Sequence, residues 1–281
     1  MRPPFDAIAF ADAPQAERCL EGILESAKAG FAEALVEALR EATDPGVVLV
    51  RMERFLAASI NPHSERELML TTPRYLHLLC TIFDESHYLT DIVCRNPGHT
   101  LWLWQEAPLR CAKSTDDYIA ELRPQVEVFD SFEGQCQSIR RFKRREMLRI
   151  GVRDIVEYAP LASLTVDLSN LADAALEVAL HCAHAHLEPR FGTPMHAAPE
   201  GSLLATGFVI LALGKLGGRE LNFSSDIDLL FLYGEEGQTA GGSSGSLANA
   251  EYFQKLGELL IEAISRQTDQ DRVFRVDMRL R

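Results

Sequence analysis

Along the first two hundred residues the hydrophobic positions recur at three- and four-residue spacing. Leu20, Ile23, Leu24, Ala27, Phe31, Leu35 and Leu39 form one such stripe, the repeat that gathers apolar side chains on one face of a helix. The same spacing predicts helices around 63–95, 115–158 and 168–187, interrupted by the Pro-containing joints Asn96-Pro97-Gly98 and Ala159-Pro160. No repeat of fixed period is present. The Pro- and Gly-bearing segment 189–201 marks a change of pattern. A domain boundary is placed there, with an all-helical region over 1–195 and a second domain over 203–281.

From Leu203 the pattern is different. Leu203 to Leu213 is a dense apolar run ending at a glycine, and Asp228 is followed by Leu229-Leu230-Phe231-Leu232-Tyr233; both read as buried strands. The Gly/Ser-rich stretch 234–246 reads as a mobile surface loop, 249–266 returns to a helical period, and 273–280 reads as a last strand. Strand, loop, strand, helix, strand indicates an α/β or α+β domain behind an all-helical one, and the chain as a whole is expected to be α+β.

Composition changes this picture little. A hydrophobic content of 47% over 281 residues can supply a real core. No apolar run reaches the roughly 18 residues of a membrane span, and the start Met-Arg-Pro-Pro-Phe-Asp lacks the apolar core of a signal peptide. A cytoplasmic location and no membrane partner are expected. The six cysteines are scattered without a C-x-x-C pair, which reads as reduced, mostly buried thiols. A net charge of −13 repels polyanions, so no nucleic-acid partner is expected. Protein or small-molecule partners fit better.

The strongest chemical signal is Leu213-Gly214-Lys215 followed, eleven positions after the lysine, by Asp226-Ile227-Asp228 at the head of an apolar strand. Aspartates at i and i+2 on a strand project to one face. Carboxylates held that close repel, and a divalent cation relieves the repulsion. Mg²⁺ suits such oxygen donors while it handles a phosphoryl group. A third carboxylate, Asp277, lies on a second strand-like stretch that could pair beside the first, giving a two-metal site. Lys215, Arg219 and Arg279 could neutralise phosphate oxygens, and Gly214, Gly217 and Gly218 could let backbone N–H groups approach a phosphate.

Other features are weaker. Seven basic residues between Arg140 and Arg153 read either as a nucleotide- or partner-facing patch or as a solvated charged face. His181, Cys182, His184 and His186 cluster, but Asp173, Glu177, His181 and His184 fall on one helical stripe, which favours an exposed helix face over a metal site. Trp102 and Trp104 read as packing residues. No Gly-x-x-x-x-Gly-Lys-Ser/Thr loop is present.

The stretch from Gly214 to Asp228, together with 274–281, resembles the nucleotidyltransferase signature of the bifunctional glutamine synthetase adenylyltransferase family. Arg144 to Asp154 resembles the segment preceding the catalytic domain in that family. The resemblance implies a DNA polymerase beta-like α/β palm domain, a magnesium site of two ions at Asp226, Asp228 and Asp277, and nucleotide or phosphate contacts from Gly214, Lys215, Gly217, Gly218, Arg219, Ser225 and Arg279. Family members carry two such domains, one removing AMP from a tyrosine of glutamine synthetase by phosphorolysis to ADP, the other adding AMP from ATP. Val276-Asp277-Met278-Arg279 is similar to the N-terminal, adenylyl-removing copy, where the other copy tends to have Thr in place of Met278. The resemblance also implies adenylylated glutamine synthetase and a PII signal protein as partners, and a catalytic domain that continues past Arg281. Two rival readings are ATP-dependent adenylylation by the same carboxylates and a non-catalytic module that binds glutamine synthetase or PII.

Overall fold

The computed structural model describes residues 4–104, 109, 111–157, 159–269 and 271–279. Its chain forms two compact units, one of Met1–Cys111 with Met147–Pro160 and the other of Ala112–Glu146 with Leu161–Arg281.

The first unit is helical. Its helices are α1 (Ala13–Leu24), α2 (Phe31–Leu39), α3 (Pro45–Ala58), α4 (Pro62–Thr71), α5 (Pro73–Glu85), α6 (His87–Arg95) and α7 (Gly98–Trp104). Short polar residues start them: Asp12, Asp44, Asn61 and Ser86 each accept a backbone N–H of the first turn through the side chain. The stretch expected as one helix over 63–95 is three, because Pro73 cannot donate to the preceding turn and Ser86 caps a new start. α1 packs on α3, and α3 on α5 and α6. Phe31, Leu35, Leu49, Phe55 and Phe83 are fully buried in this core. In α7, Trp102 is half-buried; the side chain of Trp104 lies outside the described residues.

The second unit holds α8 (Thr115–Glu127), α10 (Leu161–Phe191), α12 (Asn249–Ser265) and, in α9 (Phe132–Ile155), the residues up to Glu146. A one-turn α11 (Gly214–Gly217) completes the helices. The strands are β1 (Pro194–Ala197), β2 (Leu203–Ala205), β3 (Phe208–Leu213), β4 (Ile227–Tyr233), β5 (Gln238–Thr239) and β6 (Val276–Asp277). They form two small sheets, ordered β2-β1-β5 and β3-β4-β6. In the second, β3 and β4 are antiparallel and β4 and β6 parallel. One face of β3-β4 packs on α12, with Phe208 and Tyr233 stacked on Phe253 at centroid distances of 5.5 and 5.1 Å. Ala183, Leu187 and Phe191 of α10 join the same core.

The fold is α+β. Packing divides the chain elsewhere than 189–201, since α10 packs on α8 and α12 and belongs with the strands. The run 203–213 is two strands in different sheets, and 234–246 is not a free loop. Its backbone contributes β5 and is pinned to the end of α10 by hydrogen bonds from Gly241 to Phe191, Ser243 to Pro189 and Ser244 to Arg190.

Neither reading of the basic run on α9 holds. Arg140, Lys143, Arg144, Arg149 and Arg153 are buried, and so is Glu146. A buried charge survives only with partners. Glu146 accepts from Arg145 at 2.7 Å and Lys113 at 3.3 Å, and both cations also reach Glu121. His184 on α10 is half-buried, with Nδ1 3.3 Å from the Tyr252 hydroxyl. Cys111 is exposed and the other five cysteines are buried; burial pushes the thiols of Cys80 and Cys136 up to about 12, which keeps them unreactive at neutral pH. Among the described residues no helix is long and apolar enough to cross a membrane.

Candidate active site

The site lies at the end of the β3-β4-β6 sheet where β3 finishes and β4 and β6 begin. Across the sheet Leu213, Asp228 and Asp277 are register partners. Asp226, two positions before Asp228, precedes β4 and shares its face by the period of two. Ile227 donates its N–H to the Arg275 carbonyl at 2.9 Å, which locks the approach to β6 beside that to β4.

Two turns build the rest. After Leu213 the chain enters α11 through Gly214, whose φ of +55° lies in the left-handed region. A Cβ there would also stand 2.3 Å from Asp228 Oδ2, so only glycine lets the backbone pass this close to the carboxylate. The second turn, Asn222 to Ser225, is shaped by the Asn222 side chain, which accepts from the Ser224 N–H at 3.2 Å and the Ser225 hydroxyl at 2.7 Å.

These elements enclose an open pocket of about 580 Å³ lined by Leu213, Gly214, Lys215, Ser224, Ser225, Asp226, Asp228, Arg275, Asp277 and Arg279. Its charged groups are three carboxylates and three cations. Arg275 Nε lies 2.5 Å from Asp226 Oδ1, and Arg279 grips Asp277 with both Nε and Nη2, at 2.9 and 2.8 Å. Lys215 is exposed and has no carboxylate partner among the described residues.

Asp226, Asp228, Asp277, Gly214, Lys215, Ser225 and Arg279 are thus brought to one place. Gly217, Gly218 and Arg219 are not. The Gly218 N–H is used within the turn, donating to the Gly214 carbonyl at 3.0 Å, and Gly217 is required by its approach to the Ala212 carbonyl, 2.5 Å from where a Cβ would lie. Arg219 turns toward α10. Sequence reasoning named Leu213 within the motif but did not assign Ser224 and Arg275 to the site. The signal for Arg275 was available, because it precedes Asp277 by two and shares its face.

Among the described residues no three His, Cys, Asp or Glu side chains stand close enough to hold a metal ion together. The donors are nevertheless of the right kind. Carboxylate oxygens on adjacent strands, with a glycine keeping Cβ atoms clear of one of them, suit a hard divalent cation. As the site stands, Arg275 and Arg279 neutralise two of the carboxylates that such a cation would take, Asp226 and Asp277.

The sequence profile of the glutamate-ammonia ligase adenylyltransferase family matches residues 76–281. Three relatives, each described as a bifunctional glutamine synthetase adenylyltransferase/adenylyl-removing enzyme, give the same picture. The protein from Nitrosococcus oceani is 38% identical over 208 residues, 73% of this chain and 21% of the relative. That from Burkholderia pseudomallei is 38% identical over 198 residues, 70% and 21% of the two chains. That from Pseudomonas putida is 33% identical over 234 residues, 83% and 24%. The chain spans about a fifth of the length of the curated relatives it matches.

Proposed function

Since the chain belongs to the glutamate-ammonia ligase adenylyltransferase family, we propose that its carboxylate pocket removes AMP from a tyrosine of adenylylated glutamine synthetase by phosphorolysis, releasing ADP. The observation that carries this reading is the convergence of Asp226, Asp228 and Asp277 with Lys215, Arg275 and Arg279 around one open pocket. The β3-β4-β6 sheet, backed by α12, would be the palm of a DNA polymerase beta-like nucleotidyltransferase, with 203–281 its catalytic part. The likeness of Val276 to Arg279 to the adenylyl-removing copy favours removal over addition.

Asp226, Asp228 and Asp277 would hold Mg²⁺, in two ions, once Arg275 and Arg279 release their carboxylates. When bound, the cations neutralise the oxygens of the phosphorus under attack. The chain's own cations do the remaining work. Lys215, uncommitted at the rim, would take an oxygen of the incoming phosphate, and Arg275 and Arg279, freed from their carboxylates, would turn to the AMP phosphate. Phosphate is already an anion at neutral pH, so alignment and charge neutralisation suffice without a strong general base. The protein substrate would be adenylylated glutamine synthetase, which gives up AMP to phosphate and leaves with a free tyrosine, with a PII protein as regulator, in the cytoplasm.

Product analysis tests the direction. The chain is given Mg²⁺, labelled phosphate and adenylylated glutamine synthetase in one vessel, and ATP with unmodified glutamine synthetase in another. Labelled ADP from the first supports removal. Pyrophosphate from the second alone would assign the pocket to adenylylation, and binding of glutamine synthetase without either product would make the chain a docking module.

A further inference from the structure

Arg219 occupies the middle of the segment that joins the two turns of the pocket, yet its side chain does not line the pocket. One guanidinium nitrogen, Nη2, donates to Asn170 Oδ1, and the other, Nη1, stands 3.7 Å from Asp173 Oδ2. Asn170 and Asp173 are three apart on α10, the spacing that puts two side chains on one helix face. The grip extends to the backbone two residues on, where the buried Leu221 donates its N–H to the buried Ser169 hydroxyl at 3.3 Å. Asn170 is itself held, because its Nδ2 donates to the Lys113 carbonyl at 2.7 Å and its side chain is only 5% exposed.

The backbone at Arg219 carries the mark of this hold. Its φ of +58° is in the left-handed region, which a residue with a long side chain occupies only when its surroundings enforce it. On one side of Arg219 lies the α11 turn with Gly214 and Lys215, closed by hydrogen bonds from Gly218 to Gly214 and from Glu220 to Lys215. On the other lie the Asn222 turn and Asp226. A segment clamped at its centre fixes both ends.

We infer that Asn170 and Asp173 of α10 are positioning residues for the pocket, holding Arg219 so that the turn carrying Gly214 and Lys215 stays in place against Asp228. Arg219 is then an anchor and not a phosphate ligand. This rests on the nucleotidyl-transfer reading above for its catalytic consequence, but not for its structural one, and the two can be read separately.

The experiment compares the wild-type chain with Asn170→Ala, Asp173→Ala and Asn170→Asp. Amide hydrogen exchange is followed over residues 214–221, and phosphorolysis is measured as kcat and as KM for phosphate. In both alanine variants the amides of Gly218 to Leu221 should exchange about tenfold faster while those of α12 keep their protection, a local opening. Loss of placement at the chemistry should lower kcat by about 10- to 100-fold with KM for phosphate nearly unchanged. Asn170→Asp keeps an oxygen to accept from Arg219 but loses the Nδ2 donor to the Lys113 carbonyl, so it should restore protection and kcat in part. Unchanged exchange in the alanine variants overturns the inference. So does a raised KM with kcat intact, since that is the signature of a phosphate ligand, and so does exchange lost throughout the second unit without recovery in Asn170→Asp, which marks a purely structural role. If the wild-type chain makes no ADP, the reaction assignment fails, and the exchange result still decides whether α10 holds the turn.

Discussion

Gly214→Ala places a single methyl group against the chemistry. The new Cβ would lie 2.3 Å from Asp228 Oδ2, where ordinary contact begins at 3.4 Å, so the carboxylate or the turn must move by 3.4 − 2.3 = 1.1 Å. The left-handed φ of +55° adds a backbone cost of about 1 kcal/mol for any residue with a Cβ. A displacement of about 1 Å at a reacting group lowers the rate by roughly 100-fold, near 2.7 kcal/mol of activation free energy. Gly201→Ala is the matched control. Its φ is +88° and nothing lies within 4 Å of its Cβ position, so it carries the backbone strain without the clash. The assay is the initial rate of ADP formation beside a thermal melt. Gly201→Ala should lose about 2–4 °C in melting temperature and Gly214→Ala at least as much, and only Gly214→Ala should lose activity. Rates within about threefold of wild type for Gly214→Ala would refute the argument that this glycine exists to let the backbone pass Asp228.

Three further outcomes follow from the packing and the charges. Arg275→Ala frees Asp226 from a pair exposed on both sides, so stability should change by less than about 1 kcal/mol, while a Mg²⁺ titration should show tighter binding; unchanged affinity would mean the pair does not compete with the cation. Lys143 is buried beside the Phe274 ring, and burial pushes its amine down to about 8 from an ordinary 10.5. Between those values the unfolded chain binds the extra proton, so this group's contribution makes stability rise with pH over that window. Lys143→Met should stabilise the protein at pH 7 and flatten that rise, as urea unfolding at pH 7 and pH 10 would show. Phe253→Ala, by removing the ring on which Phe208 and Tyr233 stack, should cost about 3–5 kcal/mol in the same urea experiment.

The carboxylates were legible because strand periodicity is local. Asp226-Ile227-Asp228 before an apolar run puts two acids on one face wherever the strand lies, and the same period of two would have found Arg275. The helices were legible in kind but not in number, since Pro73 and Ser86 act over one turn inside a stretch whose apolar spacing continues across them. The role of Arg219 was not legible. Its partners Asn170 and Asp173 lie about fifty positions earlier, and a basic residue in a glycine-rich motif reads as a phosphate contact until the partner on α10 is seen. The buried basic run on α9 failed for the same reason, because Glu121 on α8 reaches Arg145 only through packing. The hold on the Gly/Ser-rich segment 234–246 is also remote, made by carbonyls at the end of α10 that composition cannot report.

The most direct test of the account is a single-turnover reaction of the chain with Mg²⁺, phosphate and glutamine synthetase carrying AMP on tyrosine, run beside Asp228→Asn and read as ADP formed. The account predicts ADP from the wild-type chain and a loss of about 10³-fold or more in the variant. No ADP from the wild-type chain, or an equal rate from Asp228→Asn, would contradict it.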